Sequence, residues 1–288
     1  MPALIDLRKR IKSVKNTQQI TQAMKTVSTA KFKKAQRVLL EGRPYSHSFS
    51  DLLADVAFWT EGYLHPLLAE REEKKVEGLV ITSDKGLTGA FNSNLLEEAL
   101  SFFEEKAGSS EVSLVLVGKK AVSFFKKQPF SITRAYSDNV DKLTFEDIRE
   151  IARFLMELYI FQKVDAVYVA YNEFKSILFP LIMIPKLLPL VSPEDESDRS
   201  FLLPGWEPEV ASILNFLLPF YVESQVYHYF IESLTAEHAA RMMAMDNASK
   251  NAEELVDDLT LVLNKIRQAS ITKELLEIMT AVDALAEK

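Results

Sequence analysis

The feature that most limits the fold is a run of 69 residues, 220–288, that contains neither glycine nor proline. These two residues are the strongest local breakers of regular structure. A second run without either of them lies between Pro2 and Gly42. As one helix, the C-terminal run would reach about 100 Å, which is too long for a compact domain of this size. Helical patterns of such length indicate a coiled coil, a membrane-spanning helix or a helical repeat.

A membrane-spanning helix is excluded by the charges along both runs. The most apolar stretch elsewhere, residues 174–191, is interrupted by two lysines and three prolines, so no segment offers about 20 uninterrupted apolar residues. No secretion or import signal is recognisable at the start of the sequence. We therefore expect no direct membrane insertion and a bacterial cytoplasmic setting.

The C-terminal run carries the spacing of a coiled-coil seam. Nine positions follow an alternation of three and four residues, and seven of them are apolar. They are Met242, Met245, Ser249, Ala252, Val256, Leu259, Leu263, Ile266 and Ser270. The N-terminal run has Leu4, Leu7, Ile11 and Val14 in the same rhythm. In this run the pattern predicts a slip of the heptad phase at Gln18, after which the seam resumes through Ile20, Met24 and Val27.

The two runs carry opposite charge. Residues 1–43 hold eleven lysines and arginines against two acidic residues, whereas residues 207–288 hold six against fourteen. We therefore expect the terminal helices to pair antiparallel. Phe32 is the only aromatic residue in the basic segment, which leaves no stacking platform, so we expect no nucleic acid as a partner.

The middle of the chain has the pattern of an α/β domain. Buried strands are predicted at 78–82, 112–117 and 165–171, with helices at 95–106, 119–127 and 145–162. Strands that alternate with helices indicate a parallel, doubly wound sheet. The predicted fold is thus a long antiparallel coiled coil with an inserted Rossmann-like α/β domain. The predicted domains are an N-terminal helix at 1–60, the α/β domain at 75–206 and a C-terminal helix at 207–288.

Sheets of this kind often bind nucleotides, so the loop at 82–94 (TSDKGLTGAFNSN) is a candidate phosphate site. Gly86 and Gly89 lack the spacing of either common phosphate-binding motif, and Gly118-Lys119-Lys120 lacks it as well. A structural turn, in which Asn92 or Ser93 caps the following helix, is the favoured interpretation.

Other chemistry finds no support in the residue pattern. The chain has no cysteine, which excludes disulfides, thiolate nucleophiles and zinc–thiolate sites. Its four histidines are far apart in the sequence, and no nucleophile has a recognisable base beside it. We predict no catalytic residue, no metal site and no cofactor on this chain.

Three segments resemble the gamma subunit family of F-type ATP synthases. They are residues 11–36 (IKSVKNTQQITQAMKTVSTAKFKKAQ), residues 81–94 (ITSDKGLTGAFNSN), and a third set within 221–278 that includes EHAARMMAMDNASKN and LTLVLNKIRQASITKELLEI. The family usually has Arg, Cys and Gly at the positions of Lys85, Thr88 and Ala90. After the position of Ile278 the family usually has a pair of small residues, and this chain lacks that pair.

The resemblance implies a mechanical function. A single copy of the chain would enter a hexamer of alternating alpha and beta subunits, with an epsilon subunit and a membrane rotor ring as further partners. It would couple ion flow through the ring to ATP synthesis or hydrolysis in the hexamer, as a peripheral protein on the cytoplasmic face of a bacterial membrane.

The resemblance also implies contact residues. Those implied to touch beta subunits are Met24, Arg241, Gln268 and Thr272. We add the cations Lys31, Lys33, Lys34 and Arg37, which exceed what helix pairing requires and which could meet an acidic loop that the family's beta subunits present. Trp206 and Glu207 are implied to form a foot on the rotor ring.

Two other functions stay open from the residues alone. One is a nucleotide-binding α/β sensory domain with a coiled-coil dimerisation arm, which would bind nucleotide unaided. The other is an architectural coiled-coil adaptor, which would need no motor partner.

Overall fold

The computed structural model describes residues 2–58, 65–137, 140–177, 180–190 and 210–286. The chain divides into two compact units, one of Met1–Ser28 with Met242–Lys288 and the other of Thr29–Arg241. Helix α1 (Pro2–Phe58) and helix α5 (Val210–Ala286) each contribute to both units. The predicted division at residues 60, 75 and 206 stays a prediction, because two of these boundaries fall outside the described residues.

The smaller unit is an antiparallel helix pair. Lys25 Nζ donates to Asp246 Oδ1 at 2.5 Å, and Ser249 Oγ donates to Gln22 Oε1 at 3.3 Å. From the first contact to the second, the residue number falls from 25 to 22 on α1 and rises from 246 to 249 on α5. The predicted antiparallel pairing is therefore confirmed. The seam predicted in α5 is confirmed too, because each of its positions from Met242 to Ser270 is at least partly buried, and from Ala252 onward every residue between these positions is exposed.

The slip predicted in α1 is wrong. Ile20 and Val27 are 61% and 58% exposed. The alternation of three and four continues after Val14 without interruption through the at least partly buried residues Gln18, Thr21, Lys25 and Ser28. Thr21 Oγ1 donates to the Gln18 carbonyl at 2.9 Å, so its hydroxyl can enter the seam with its hydrogen bond satisfied. The prediction assumed that seam residues are apolar, and it therefore placed the apolar residues at 20 and 27 in the seam.

The larger unit contains the sheet. Its strands are β1 (Lys75–Ile81), β2 (Glu111–Val117), β3 (Ser131–Tyr136), β4 (Ala166–Glu173), β5 (Leu181–Met183) and β6 (Lys186–Leu188). The strand order is β3-β2-β1-β4-β5, with β6 also paired to β4. The first four strands are parallel, and β5 and β6 run antiparallel to β4. The predicted α/β fold is confirmed with three strands added, and the sheet is mixed rather than purely parallel.

Helices cover both faces of this sheet. The bounds of the helices between the strands are α2 (Phe91–Ala107), α3 (Lys119–Phe125) and α4 (Phe145–Ile160). One face packs against α2 and α3, and a Cβ at Gly78 would lie 2.3 Å from the Phe103 ring of α2. The other face packs against α4 and the first part of α5. The α5 residues there recur every fourth position, as one helix face requires. They are Leu214, Leu218, Val222, Val226 and Phe230.

Glu77 of β1 is a buried carboxyl that faces two hydroxyls. It is 1% exposed, and its Oε2 accepts hydrogen bonds from Ser113 Oγ at 2.6 Å and Thr133 Oγ1 at 3.1 Å. Its Oε1 has no hydrogen-bond partner within the described part of the chain. Burial, opposed by the two hydroxyls, raises the pKa of Glu77 above its ordinary value of 4.5.

This pKa predicts that stability falls as pH rises. Below the ordinary pKa both the folded and unfolded chains hold the proton, whereas above it the unfolded chain releases the proton more readily than the folded chain. The Glu77→Gln variant removes the titration and should lose less free energy of unfolding than the wild type as the pH rises above the ordinary pKa of 4.5. Urea unfolding followed by circular dichroism measures this, with the exposed Glu98→Gln as the matched control. Parallel pH profiles for wild type and Glu77→Gln would contradict it.

Candidate interaction surfaces and the crevice at the sheet edge

The strand order defines where a ligand would bind in a sheet of this type. The chain moves from β1 to β2 on one side and later crosses to β4 on the other side. Open α/β sheets bind ligands in the crevice outside the carboxyl ends of the strands at such a switch point. In this chain the crevice lies beyond the ends of β1 and β4, beside the glycine-containing loop at 82–90.

The loop uses its polar groups internally. Ser83 N–H donates to Asn92 Oδ1 at 3.1 Å, and Asn92 Nδ2 donates to Ser83 Oγ at 2.9 Å and to Thr88 Oγ1 at 3.1 Å. Gly89 has a φ of 58°, which favours glycine, but Leu87 rather than Gly86 supplies the other positive φ, 64°. The structural turn is therefore present.

The capping expected of Asn92 or Ser93 is wrong. The residue before α2 is Ala90, and no side chain caps this helix. Asn92 is directed back to the loop, and Ser93 Oγ donates to the Ala90 carbonyl at 3.1 Å. The amide of Asn92 thus fixes the loop to the first turn of α2 instead of closing the N-terminus of the helix.

Side chains of α5 occupy the crevice. Glu232 Oε2 accepts the Phe174 N–H, just past β4, at 2.8 Å. Arg241 Nη2 lies 2.5 Å from Glu237 Oε1 and 3.5 Å from the Lys85 carbonyl of the loop. The cavity left between Thr82, Glu237 and their neighbours holds about 30 Å³. That is about the volume of one water, whereas small-molecule sites run to about 300–1,000 Å³.

An apolar cluster joins both helices to the sheet in the larger unit. We call it the root cluster, and it comprises Phe32, Leu39, Phe91, Phe174, Ala236 and Ala239. The Phe32 and Phe174 rings meet edge to face with centroids 5.4 Å apart. The cluster thus combines residues of α1 and α5 with the start of α2 and the residue that follows β4.

The four predicted cations lie on the exposed face of α1. Lys31, Lys33, Lys34 and Arg37 are exposed, whereas Phe32 and Ala35 between them and Leu39 after them are buried. Helical spacing explains the division, because residues three and four apart share a face.

The other predicted contact residues differ in exposure. Gln268 and Thr272 are exposed and share one helix face, with Thr272 Oγ1 donating to the Gln268 carbonyl at 3.0 Å. Met24 is half-buried beside the seam. Only 10% of the Arg241 side chain is exposed, because Glu237 pairs with it. Trp206 and Glu207 lie outside the described residues. The role of each of these residues in binding a partner stays a prediction.

The last part of α5 is an exposed helix with large apolar side chains. Residues 271–280 and 282 are all exposed. From 271 to its end the helix measures about 24 Å. We call these side chains the apolar end of α5, namely Ile271, Leu275, Leu276, Ile278, Met279 and Val282. Exposed apolar patches of this kind mark interaction sites.

Sequence reasoning missed the polar contacts of α5. Glu232 was not singled out, and neither was Phe174. Glu237 carried a detectable signal, because it stands seven residues after Phe230 on the face that packs against the sheet. A charge at that position requires a partner, which Arg241 supplies one turn later.

Two further features are absent from the described residues, a metal site and a membrane-spanning helix. The described residues contain no group of three or more histidine and acidic side chains placed to hold a metal ion. No helix in the described part of the chain has the length and hydropathy of a membrane span.

Comparison with known proteins gave matches along the whole chain. A family profile described as ATP synthase matches residues 3–285. The ATP synthase gamma chain of Pelotomaculum thermopropionicum is 46% identical over 285 residues, which cover 99% of this chain and all of the relative. The ATP synthase gamma chain of Solibacter usitatus is 44% identical over 288 residues, with 99% of each chain covered.

Solved structures share the fold. A chain in the central stalk and c-ring structure of the Tetrahymena thermophila mitochondrial ATP synthase matches with a TM-score of 0.63 and 26% identity, covering 80% of this chain and 99% of that one. A chain in the OSCP/F1/c-ring structure of the Euglena gracilis enzyme gives 0.68 and 20%, covering 99% and 95%. The second likeness concerns the fold alone.

The exposure of the apolar end predicts how substitutions affect the isolated chain. Leu276→Ser should change the free energy of unfolding by less than about 0.5 kcal/mol, because the side chain is 58% exposed. Val256→Ser in the seam, where the side chain is 8% exposed, should cost about 1.5–3 kcal/mol. Urea unfolding of both variants measures the difference. An equal loss of stability would show that the end of α5 packs against its own chain.

Proposed function

The chain belongs to the ATP synthase gamma chain family, and on that premise we propose that it is the central rotor shaft of an F-type ATP synthase. In this function it couples ion flow through a membrane ring to ATP synthesis or hydrolysis in a hexamer of alpha and beta subunits. The observation that carries the proposal is the apolar end of α5, which a soluble helix would not expose unless a partner covers it.

The hexamer is the partner that suits this helix. A helix with one apolar face contacts the subunits of a surrounding ring unequally, so its orientation can favour one subunit over the others. The exposed apolar side chains at 271, 275, 276, 278 and 279 point within an arc of about 160°, since successive residues differ by about 100° in direction, and Lys273, Glu274 and Glu277 lie on the opposite side. This described segment is therefore amphipathic, and its apolar face is the surface that a partner would cover.

The shaft acts through differential contact. One chain at the centre of the hexamer presents a different side to each beta subunit, and only a difference in contact free energy can favour a different nucleotide state in each. We therefore propose one copy per complex and catalysis on the partners alone. The filled crevice supports a non-catalytic chain, because α5 side chains occupy the place where the sheet would hold a nucleotide.

Two groups of residues are proposed to contact beta subunits. Gln268 and Thr272 are the best placed, since they are exposed on one face, and Met24 and Arg241 complete the first group. The second group is the four exposed cations at 31, 33, 34 and 37. An exposed ion pair is worth only about 0–1 kcal/mol, which suits a surface that releases an acidic partner at each step.

The complex sits at a membrane, and this chain is a peripheral part of it. We propose the cytoplasmic face of a bacterial membrane as its location, with the epsilon subunit and the rotor ring as partners at the foot. Trp206 and Glu207 are proposed to meet the ring. The support for these two residues is the resemblance of the sequence.

Reconstitution into the complete complex in vesicles tests the function and the contact residues together. Gln268→Ala/Thr272→Ala should lower ATP-driven membrane potential at a given rate of hydrolysis. The matched control is Thr260→Ala/Asn264→Ala, an exposed pair of similar type on the same helix, in which Thr260 Oγ1 likewise donates to a carbonyl one turn earlier. Replacement of the four cations by glutamine should have a larger effect at low salt than at high salt, because screening shortens their reach to about 8 Å at physiological ionic strength.

Three results would contradict these proposals. Reconstitution in which the wild-type chain is dispensable for coupling would overturn the shaft. Equal coupling in both alanine pairs would remove Gln268 and Thr272 from the contact surface. An effect of the glutamine variant that is the same at all salt concentrations would remove the cations.

A further inference from the structure

We propose that Phe174 is the residue through which the sheet turns with both terminal helices, and that Glu232 is the positioning residue that holds it. This inference rests on the proposed function and assigns the path of torque within the larger unit. Two contacts of this one residue support the inference. The Phe174 N–H donates a hydrogen bond to Glu232 of α5, and the Phe174 ring packs against the Phe32 ring of α1.

The first step is mechanical. The helices α1 and α5 connect covalently to the sheet only beyond Phe58 and before Val210. Torque that arrives along the helices therefore reaches the sheet through noncovalent contacts. The apolar contacts of α5 with the sheet hold the helix against the sheet but are non-directional. Contacts with a defined geometry, such as hydrogen bonds and edge-to-face ring pairs, resist twisting most directly.

Several directional contacts connect α5 to its surroundings in this unit. Glu223 accepts from Arg149 Nε at 2.7 Å and from Arg153 Nε at 2.8 Å, and these bind α5 to another helix, α4. Tyr229 stacks on Tyr171 of β4 with ring centroids 4.5 Å apart. Glu232 goes further, because it binds a backbone N–H at the end of β4 itself. Backbone at a strand end moves with the sheet, whereas a side chain can rotate.

The burial of Glu232 is the second step. The residue is 1% exposed, and burying a carboxylate is costly unless hydrogen bonds compensate. Its partners include Phe174 N–H at 2.8 Å and His228 Nε2 at 3.5 Å. Apolar residues often replace buried charged groups without loss of stability. A carboxylate at this position therefore gains its value from fixing orientation, which an apolar side chain would not fix.

The third step is the position of Phe174 in the root cluster. Its ring meets the Phe32 ring of α1 edge to face, and the same cluster contains Ala236 and Ala239 of α5. The residue that follows β4 is thus bound on its backbone side by one terminal helix and on its ring side by the other. Rotation of the helix pair relative to the sheet would break both contacts together.

The test uses the complete ATP synthase complex in vesicles, with ATP hydrolysis and membrane potential measured in the same sample. Potential detected with a voltage-sensitive dye requires no knowledge of the coupling ion. Glu232→Ala should retain hydrolysis and give a lower potential at the same hydrolysis rate. Glu232→Gln, whose amide oxygen can still accept the Phe174 N–H, should recover most of that potential. Glu254→Ala, an exposed carboxylate on the same helix, is the control.

Hydrogen exchange at the Phe174 amide supplies a second readout. Loss of a hydrogen bond to a charged group should speed exchange there by about 10-fold or more in Glu232→Ala. Glu232→Gln should exchange at nearly the wild-type rate. A merely structural role for Glu232 would lower assembly and hydrolysis together and leave the ratio of potential to hydrolysis unchanged.

The outcomes separate this inference from the function on which it rests. A wild-type complex that hydrolyses ATP and builds no potential would count against the shaft. A coupled wild type with unchanged coupling in Glu232→Ala, or with equal loss in the alanine and glutamine variants, would overturn the role of Glu232. Should Glu232→Ala fail to assemble, Phe32→Leu weakens the ring contact in an apolar cluster. Its coupling should fall as well, and normal coupling in that variant would overturn the proposal.

Discussion

Pairing of the terminal helices is the constraint on which the rest of the structure depends. An isolated helix in water gains little from its own hydrogen bonds, so helices of 57 and 77 residues require a partner along their length. In the smaller unit the seam of α5 supplies that partner surface as far as Ser270. Beyond this point the helix carries apolar side chains without an intramolecular partner among the described residues, which is why the chain needs a complex to complete its burial.

The seam is also polar for a coiled coil. Gln18, Thr21 and Ser28 occupy seam positions of α1, and Asp246, bound by Lys25 and Lys250, stands beside the seam of α5. These lysines lower the pKa of Asp246, so the carboxylate stays charged further into the acidic range than an ordinary aspartate. Polar groups in a coiled coil set register at some cost in stability. A shaft has more need of a single register than of maximal stability, because a shift of the helices would move every contact with its partners.

The larger unit converts a ligand-binding architecture into a mechanical one. The strand order still forms a crevice at the switch point of the sheet. The side chain of Asn92 holds the loop after β1 through hydrogen bonds to Ser83 and Thr88. Side chains of α5 lie in the crevice, and Glu232 accepts a hydrogen bond from the backbone N–H that follows β4. The end of the sheet that binds ligands in other proteins of this topology here binds a helix.

The sequence predicted those elements whose patterns are long or buried. The seam of α5 and the strands β1, β2 and β4 were predicted because their apolar periodicity is strong. Strand β3 was not predicted, since it is a partly exposed edge strand, and β5 and β6 have only three residues each. The polar seam of α1 was misassigned because apolar residues at 20 and 27 happen to lie one heptad apart on the outer face. The contacts of Glu232 and Asn92 connect residues 58 and 9 positions away, and no local pattern specifies such partners.

The most direct test of the shaft is to observe rotation of this chain in the assembled complex. The sequence contains no cysteine, so Ser109→Cys in the exposed turn after α2 gives one attachment site for a bead on the α/β unit. With the alpha and beta subunits immobilised and free of cysteine, addition of ATP should drive stepwise rotation of the bead in one direction. A bead that remains stationary while the same complexes hydrolyse ATP would contradict the account.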